Sequence, residues 1–311
     1  MDPPQEGADA HWQPPTHPFH DADADVVLRS ACGVEFAVHK IILCKASSVF
    51  SDMFSLPGQG KIGVEAIPIV DLTEEYKTLF LMLSYCYPTE EPALEDIGTI
   101  YRLLEVMRKY AMDGLQQRVA RRLEPFATSE PVRVFVVASC FGFERLARAA
   151  AYQTLRLSIW PLAADVSAPE LQNITAATFQ DLLRYHRQCS EAAVEAMSEL
   201  KWLQKTDWAW LNSDSRCGCP SASNTYQFYN RIYTPKRWWV DFLQDARDQV
   251  LLKPLGSMGP RPTFLKGGSL SQLRSCMHCR VAGISDLIEF AELVQERIEI
   301  VIKEVQLKWR G

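Results

Sequence analysis

The chain has 311 residues, of which 47% are hydrophobic and 23% charged, and its formal net charge is −5. This balance is ordinary for a globular protein of two or three domains and lacks the strongly basic character of a nucleic-acid-binding protein. No apolar stretch approaches the roughly 18 to 20 residues of a membrane span, and the first twenty residues lack the pattern of a secretory signal.

Cysteine usage indicates a reducing compartment. The chain has nine cysteines, an odd number, and five of them stand singly among apolar neighbours, as reduced thiols in a core do. We therefore expect an intracellular protein, cytoplasmic or nuclear, without disulfides. These five are Cys32, Cys44, Cys86, Cys140 and Cys189.

The first elements are two short strands that follow a polar tail. Residues 1–22 are rich in Pro, His and Asp without periodicity, which predicts a disordered tail. Asp25–Leu28 and Val34–Val38 predict a β-hairpin around Gly33.

An amphipathic helical segment follows the hairpin, from His39 to Phe54. Its inward positions are separated by steps of four, four, three and three, which places them on one helix face. A break near Ala46 divides the segment into two helices, and a serine hydroxyl at that break would cap the second. The inward positions are His39, Leu43, Ser47, Phe50 and Met53.

Three further elements complete this part of the chain. Residues 66–72 predict a third strand, and Pro68 makes it an edge strand or a bent one because proline cannot donate to a ladder. Helical patterns then run over residues 74–86 and, as a pair, over residues 94–126.

Six segments between residues 25 and 115 share the order and spacing of one family. They are DVVLRS, EFAVHKIIL, ASSVFSDMF, PIVDL, YCYP and LLEVMRKYAMDGL. On these segments, residues 23–126 resemble the BTB/POZ domain, and FSDMFSLPGQG and EPVRVFVVASCFGFERLARAAAYQTL are similar to a large group of fungal BTB-domain proteins. The resemblance implies an α+β domain, a small sheet flanked by helices, that binds other proteins without catalysing a reaction.

The resemblance also bears on single residues and on partners. BTB domains carry a residue like Asp25 on the first strand and one like His39 at the helix start, and we expect both to form hydrogen bonds rather than to act as acid and base. Homodimers in this family use an N-terminal helix, which the prolines before residue 19 disfavour. Cullin recruitment uses a hydrophobic-x-Glu motif, and here Leu81 stands where that glutamate is expected. The expected partners are thus other proteins, with a homodimer and a cullin as alternatives, and neither a membrane nor a nucleic acid.

The remaining two thirds of the chain divide into three segments. Residues 127–210 predict a mainly α-helical extension, in which residues 171–205 are compatible with two helices. Residues 211–281 are loop-rich, with Gly, Pro, Ser, Cys and Trp, and include a short helix after Pro235. Residues 282–311 contain a long amphipathic helix from about Ser285, predicted to lie on its own domain rather than to form an intermolecular coiled coil.

Four late cysteines form the strongest chemical pattern. Cys276 and Cys279 form C-x-x-C, whose spacing lets two thiolates reach one tetrahedral zinc, whereas Cys217 and Cys219 form the less common C-x-C. A metal crosslink would stabilise this irregular region, since ligand binding supplies folding energy in such sites. We predict structural zinc, with reduced structural thiols and a redox role as alternatives. His278 could replace one cysteine.

Other chemistry finds little support in the sequence. There is neither a G-x-S-x-G elbow nor a phosphate-binding G-x-x-x-x-G-K-[ST] loop. Four cysteine ligands would fill a tetrahedral site and leave no position for a catalytic water, so a zinc enzyme needs a three-ligand site. The aromatic residues of the loop-rich segment could stack single-stranded nucleic acid, but a buried aromatic core is the favoured interpretation. We expect a non-enzymatic scaffold protein.

Overall fold

The computed structural model divides the chain into two compact units, residues 1–122 and residues 123–311. Most of the predicted tail, and residues 256–270 of the segment predicted to be loop-rich, lie outside the residues that the structure describes. The described residues are 18–56, 67–158, 169–211, 217–255 and 271–310.

A three-stranded sheet forms one part of the first unit. β1 (Val26–Arg29) is central, pairing antiparallel with β2 (Glu35–Val38) and parallel with β3 (Ile69–Asp71). Gly33 has a φ of +84° in the turn between the first two strands, a conformation that costs glycine little because it lacks a Cβ. The sequence predicted all three strands, and of the two alternatives for the strand at Pro68, an edge strand or a bent one, β3 occupies the edge.

Within the described residues of this unit, five α-helices flank the sheet. The predicted break in the first helical segment is present, since Ser47 lies between α1 and α2 and its hydroxyl accepts a hydrogen bond from the Phe50 backbone amide. The helices are α1 (Lys40–Ala46), α2 (Ser48–Ser55), α3 (Tyr76–Cys86), α4 (Ile97–Lys109) and α5 (Asp113–Ala120).

The core of the first unit is filled by apolar side chains from both layers. Val26 and Leu28 of the sheet and Leu43 and Phe50 of the helices are fully buried. Phe19 is also fully buried, and its backbone carbonyl accepts a hydrogen bond from Ala37 of β2. Residues 18–22, assigned to the tail on composition, are thus in part an element of the unit, because one aromatic anchor outweighs polar neighbours.

The second unit is mainly helical, with a small hairpin of β4 (Tyr226–Phe228) and β5 (Arg231–Tyr233). Together with the sheet-and-helix first unit, this confirms the predicted α+β class with a helical extension and a long terminal helix. Its helices are α6 (Phe126–Ser129), α7 (Pro131–Cys140), α8 (Glu144–Thr154), α9 (Ala176–Ser198), α10 (Arg237–Leu252), α11 (Ser271–Ser275) and α12 (Met277–Glu304).

Two helix bounds differ from the sequence-based expectation. Residues 171–205 hold one long helix, α9, flanked by 3-10 turns, rather than two helices. The terminal helix begins at Met277 rather than near Ser285, and Gly283 lies inside it. A Cβ at Gly283 would stand 2.6 Å from the Leu273 side chain, so this glycine permits close packing of α11 on α12 and does not end the helix.

The long helix α12 lies against α9, as its apolar stripe predicted. Leu287, Val294, Ile298 and Ile302 are buried along that face. The residues between α9 and α12 contribute large aromatic side chains to the second unit's core, and among the described residues the fully buried tryptophans are Trp208, Trp210, Trp238 and Trp239.

Candidate functional site

Four cysteines distant in sequence lie together in the second unit. The sulfur atoms of Cys217, Cys219, Cys276 and Cys279 all lie within 4.8 Å of one another. The Cys217 sulfur is 3.2 Å from that of Cys279 and 3.8 Å from that of Cys276, and none of the four forms a disulfide. The two predicted pairs therefore meet at one point.

Helix α12 positions the C-x-x-C pair. Cys276 is the residue before the helix and Cys279 lies in its first turn, so both sulfurs lie at the amino-terminal end. The free backbone amides there carry partial positive charge, which stabilises thiolates. A hydrogen bond with the Cys279 backbone lowers the pKa of Cys276 to about 7.

The C-x-C pair is held by a strand-like contact with the start of α10. The Ala222 amide donates to the Pro235 carbonyl at 2.8 Å, and the Arg237 amide donates to the Pro220 carbonyl at 2.9 Å. These bonds fix the backbone immediately after Cys219. Lys236, which is 8% exposed, places its ammonium 3.5 Å from the Cys219 carbonyl.

The cluster has the donor set and the size that a tetrahedral metal requires. Metal–sulfur bonds of about 2.3 Å give a tetrahedron with edges of about 3.8 Å, close to two of the sulfur separations. Burial raises the pKa of Cys219 to about 11 and also raises that of Cys279, so without a cation these thiols hold their protons. A bound cation would reverse that preference, since coordination deprotonates a thiol. The four residues could thus hold a metal ion.

The predicted alternative ligand, His278, is exposed and does not belong to the cluster. It lies directly before Cys279 in the first turn of α12. The four sulfurs therefore complete a donor set without an imidazole.

Stacked aromatic rings share the core of this unit with the cluster. The rings of Trp208 and Trp210 stack with centroids 4.9 Å apart, and those of Trp210 and Trp239 stack at 5.4 Å. Phe290 of α12 meets Trp210 edge-on at 5.5 Å. These tryptophans are buried and so are unavailable for stacking nucleic-acid bases.

In the first unit, the predicted polar pair joins three elements. The Asp25 carboxylate accepts a 2.7 Å hydrogen bond from the Lys40 backbone amide and so ties the start of α1 to β1. The His39 backbone amide donates to the Tyr87 hydroxyl at 2.8 Å, and the His39 Nδ1 lies 3.1 Å from the same oxygen. Asp25 is exposed and His39 half-buried, and both form structural hydrogen bonds.

The other predicted positions of the helical segment face inward to different degrees. Leu43, Ser47 and Phe50 are buried, whereas Met53 is half-buried. The Ser47 hydroxyl also donates to the Tyr110 carbonyl at 2.5 Å, and the Phe50 ring stacks on Tyr110 at 4.7 Å. This face of α1 and α2 therefore belongs to the core.

Helix α3 directs the residues around the expected cullin motif inward. Leu79 and Met82 are fully buried and Leu81 is only 7% exposed, while Phe80 is half-buried. Leu81, the residue expected at the position of the motif glutamate, thus packs in the core.

Comparison with known protein families matches residues 18–126 to the BTB/POZ domain. The chain therefore contains a BTB/POZ domain, as the sequence segments indicated, and a domain of this class supports a function in protein interaction. A search of curated proteins finds no match to the chain. Within the described residues, no helix has both the length and the apolar character needed to cross a membrane.

Two features of the first unit were not expected from the sequence. Tyr87 anchors His39 through its hydroxyl, and the buried Glu74 pairs with Lys109 and accepts a 2.8 Å hydrogen bond from Tyr110. Burial opposes the ionisation of Glu74, but the bonds from Lys109 and Tyr110 outweigh it and lower its pKa. In the sequence, Glu74 stands between Thr73 and Glu75, and no periodic pattern indicates that its carboxylate is buried and paired.

Proposed function

We propose that this protein is a non-enzymatic scaffold that binds partner proteins through its BTB/POZ domain. The match of residues 18–126 to that domain carries the proposal. The packed interior of the first unit supports it, since the predicted motif residues form core contacts and structural hydrogen bonds. Asp25 and His39 then act as supports of the interaction domain.

The scaffold role is favoured over cullin recruitment by the position of Leu81. A contact motif needs an accessible side chain, and Leu81 is buried. A role as a cullin adaptor is the alternative, and the partners recovered in the following experiment distinguish it from the scaffold role.

The test is affinity purification of the tagged full chain from its native cell, with partners identified by mass spectrometry. Ile41 and Ile69 are 63% and 46% exposed in the BTB/POZ unit, so Ile41→Glu with Ile69→Glu alters its surface and leaves the core intact. We expect a reproducible partner set that this double variant reduces. Leu251→Glu, at a residue 49% exposed in the second unit, is the matched control and should retain the set.

Two results would change the proposal. A partner set that is the same for wild type and double variant would contradict binding through the domain surface altered here. Recovery of a cullin with the wild-type chain would assign the adaptor function instead.

We further propose that the four cysteines bind structural zinc. Four sulfur donors from two chain segments suit zinc, and they leave no coordination position for a substrate or a water. When bound, the metal would hold the start of α12 to the loop before β4, while Lys236 offsets part of the negative charge of four thiolates. The purified chain should contain equimolar zinc, measured by elemental mass spectrometry, and a metal-free protein that is folded throughout would contradict this role.

A further inference from the structure

A cavity of about 490 Å³ lies in the second unit, apart from the cysteine cluster. It is bounded by the last turns of α9 and α12 and by the 3-10 turn Leu200–Trp202. Ligand sites in proteins commonly have volumes of about 300 to 1,000 Å³. The size is therefore suitable for a small organic molecule or a few residues of a peptide.

An unpaired arginine lines this cavity. Arg297 is half-buried, its Nε is inaccessible to solvent without a hydrogen-bond partner, and its guanidinium forms no ion pair with any residue in the described ranges. By contrast, Arg133 in the same unit binds the Glu170 carboxylate through two nitrogens, at 3.2 and 2.6 Å. Because a buried donor without a partner is costly, Arg297 has the character of a carboxylate-binding group that lacks its carboxylate.

Three carboxylates line the same cavity without neutralising Arg297. Glu195 lies in the last turn of α9, Glu199 is the residue that follows this helix, and Glu304 ends α12. All three are exposed, and none of them forms an ion pair within the described part of the chain. Both helices end beside the cavity, so their terminal carbonyls add negative potential there. Although Lys201 is a second cation in the lining, the three carboxylates favour a protonated amine.

The cavity also has an apolar wall, in which one indole ring is fixed in orientation. The half-buried Trp202 donates from its Nε1 to the Ala196 carbonyl at 3.0 Å, which holds the indole ring in place. Val301 and Val305 complete the wall. A ring so held offers a surface for an aliphatic side chain or a cation.

We infer that this cavity binds a short peptide that carries both a free carboxylate and a protonated amine. The carboxylate binds Arg297, the amine lies among Glu195, Glu199 and Glu304, and an apolar side chain packs on Trp202. The unpartnered Arg297 Nε beside three carboxylates in the lining of one cavity carries the inference, because a ligand with both charges can pair with both kinds of group, whereas a ligand of one sign pairs with only one kind. This site goes beyond the proposed scaffold function and does not depend on the BTB/POZ domain.

The test is calorimetric titration of the full chain with three tripeptides, Lys-Ala-Leu, Lys-Ala-Phe and Lys-Ala-Val. We expect saturable binding of at least one of them. Amidation of its carboxyl terminus, or Arg297→Gln, should weaken that binding by about tenfold or more, as expected for loss of a charge-assisted hydrogen bond. Arg297→Lys, which keeps the charge without the planar fork, should give an intermediate affinity.

The matched control is Lys303→Gln, which removes one positive charge from the exposed side of the same helix and should leave the affinity unchanged. Because Arg297 forms no hydrogen bond or ion pair through its side chain within the described residues, its variants should keep the wild-type circular dichroism. Absence of binding by all three tripeptides would overturn the inference, as would equal affinity for the amidated peptide or for Arg297→Gln.

Discussion

The interiors of the two units of this protein are stabilised in different ways. In the first, aliphatic and phenylalanine side chains of regular elements fill the core, as Val26, Leu43 and Phe50 show. In the second, the segment 217–236, which contains the β4–β5 hairpin, is held by four convergent cysteines and by contacts of Tyr226 and Phe228 with the stacked indole of Trp239. A regular amphipathic pattern thus suffices for the BTB/POZ unit, whereas the second unit depends on contacts between residues far apart in sequence.

The largest expected effect is loss of the proposed metal. Cys279→Ser should abolish equimolar zinc and destabilise the second unit by at least about 3 kcal/mol, a fraction of the roughly 10–16 kcal/mol that structural zinc supplies in zinc-finger peptides. Hydrogen exchange should increase from residue 217 onward and stay unchanged in the BTB/POZ unit.

Cys32→Ser is the control for this variant, since Cys32 is an exposed thiol of the first unit. It should keep both the zinc content and the exchange pattern. If Cys279→Ser retained zinc, or lost zinc without faster exchange, the cluster would have no stabilising role and the contrast between the units would rest on the tryptophans alone.

The second prediction concerns those tryptophans. Trp210 is fully buried and stacks on both Trp208 and Trp239, so Trp210→Ala should cost the second unit about 3–5 kcal/mol by leaving a cavity. Trp309→Ala, at a half-buried position near the end of the chain, should cost much less. The measurement is hydrogen exchange of each unit, and equal effects of the two variants would argue against an aromatic core.

A smaller effect is expected at the helix junction of the first unit. Ser47→Ala removes the cap on the Phe50 amide and the bond to the Tyr110 carbonyl, so it should destabilise this unit by about 2 kcal/mol. Ser55→Ala, whose hydroxyl bonds an exposed carbonyl of its own helix, should change stability by less than about 0.5 kcal/mol. Denaturation followed by circular dichroism measures the free energy of unfolding of both variants. Similar free energies for Ser47→Ala and Ser55→Ala would show that Ser47 has no special structural role.

The difference between the two units also explains which features the sequence could predict. Local signals located the three strands of the BTB/POZ unit, the helix break at Ser47 and the inward face of α12, because periodicity and capping act over a few residues. They placed the start of α12 too late, since the role of Gly283 depends on Leu273 packing against it. The convergence of the cysteine pairs was a hypothesis from spacing, and the unpaired Arg297 had no local signal.

The smallest expected effect depends on pH and is confined to the first unit. Glu74 has a pKa below its usual value because its carboxylate binds Lys109 and Tyr110. A carboxyl with a lower pKa in the folded state stabilises the fold above its unfolded pKa, about 4.3, and loses that contribution as the pH falls through the folded value. Glu74→Gln should therefore cost about 1 kcal/mol at neutral pH and progressively less below pH ~4. The adjacent, exposed Glu75→Gln is the control, and a cost for Glu74→Gln that did not shrink on acidification would show that packing, not the charge, accounts for it.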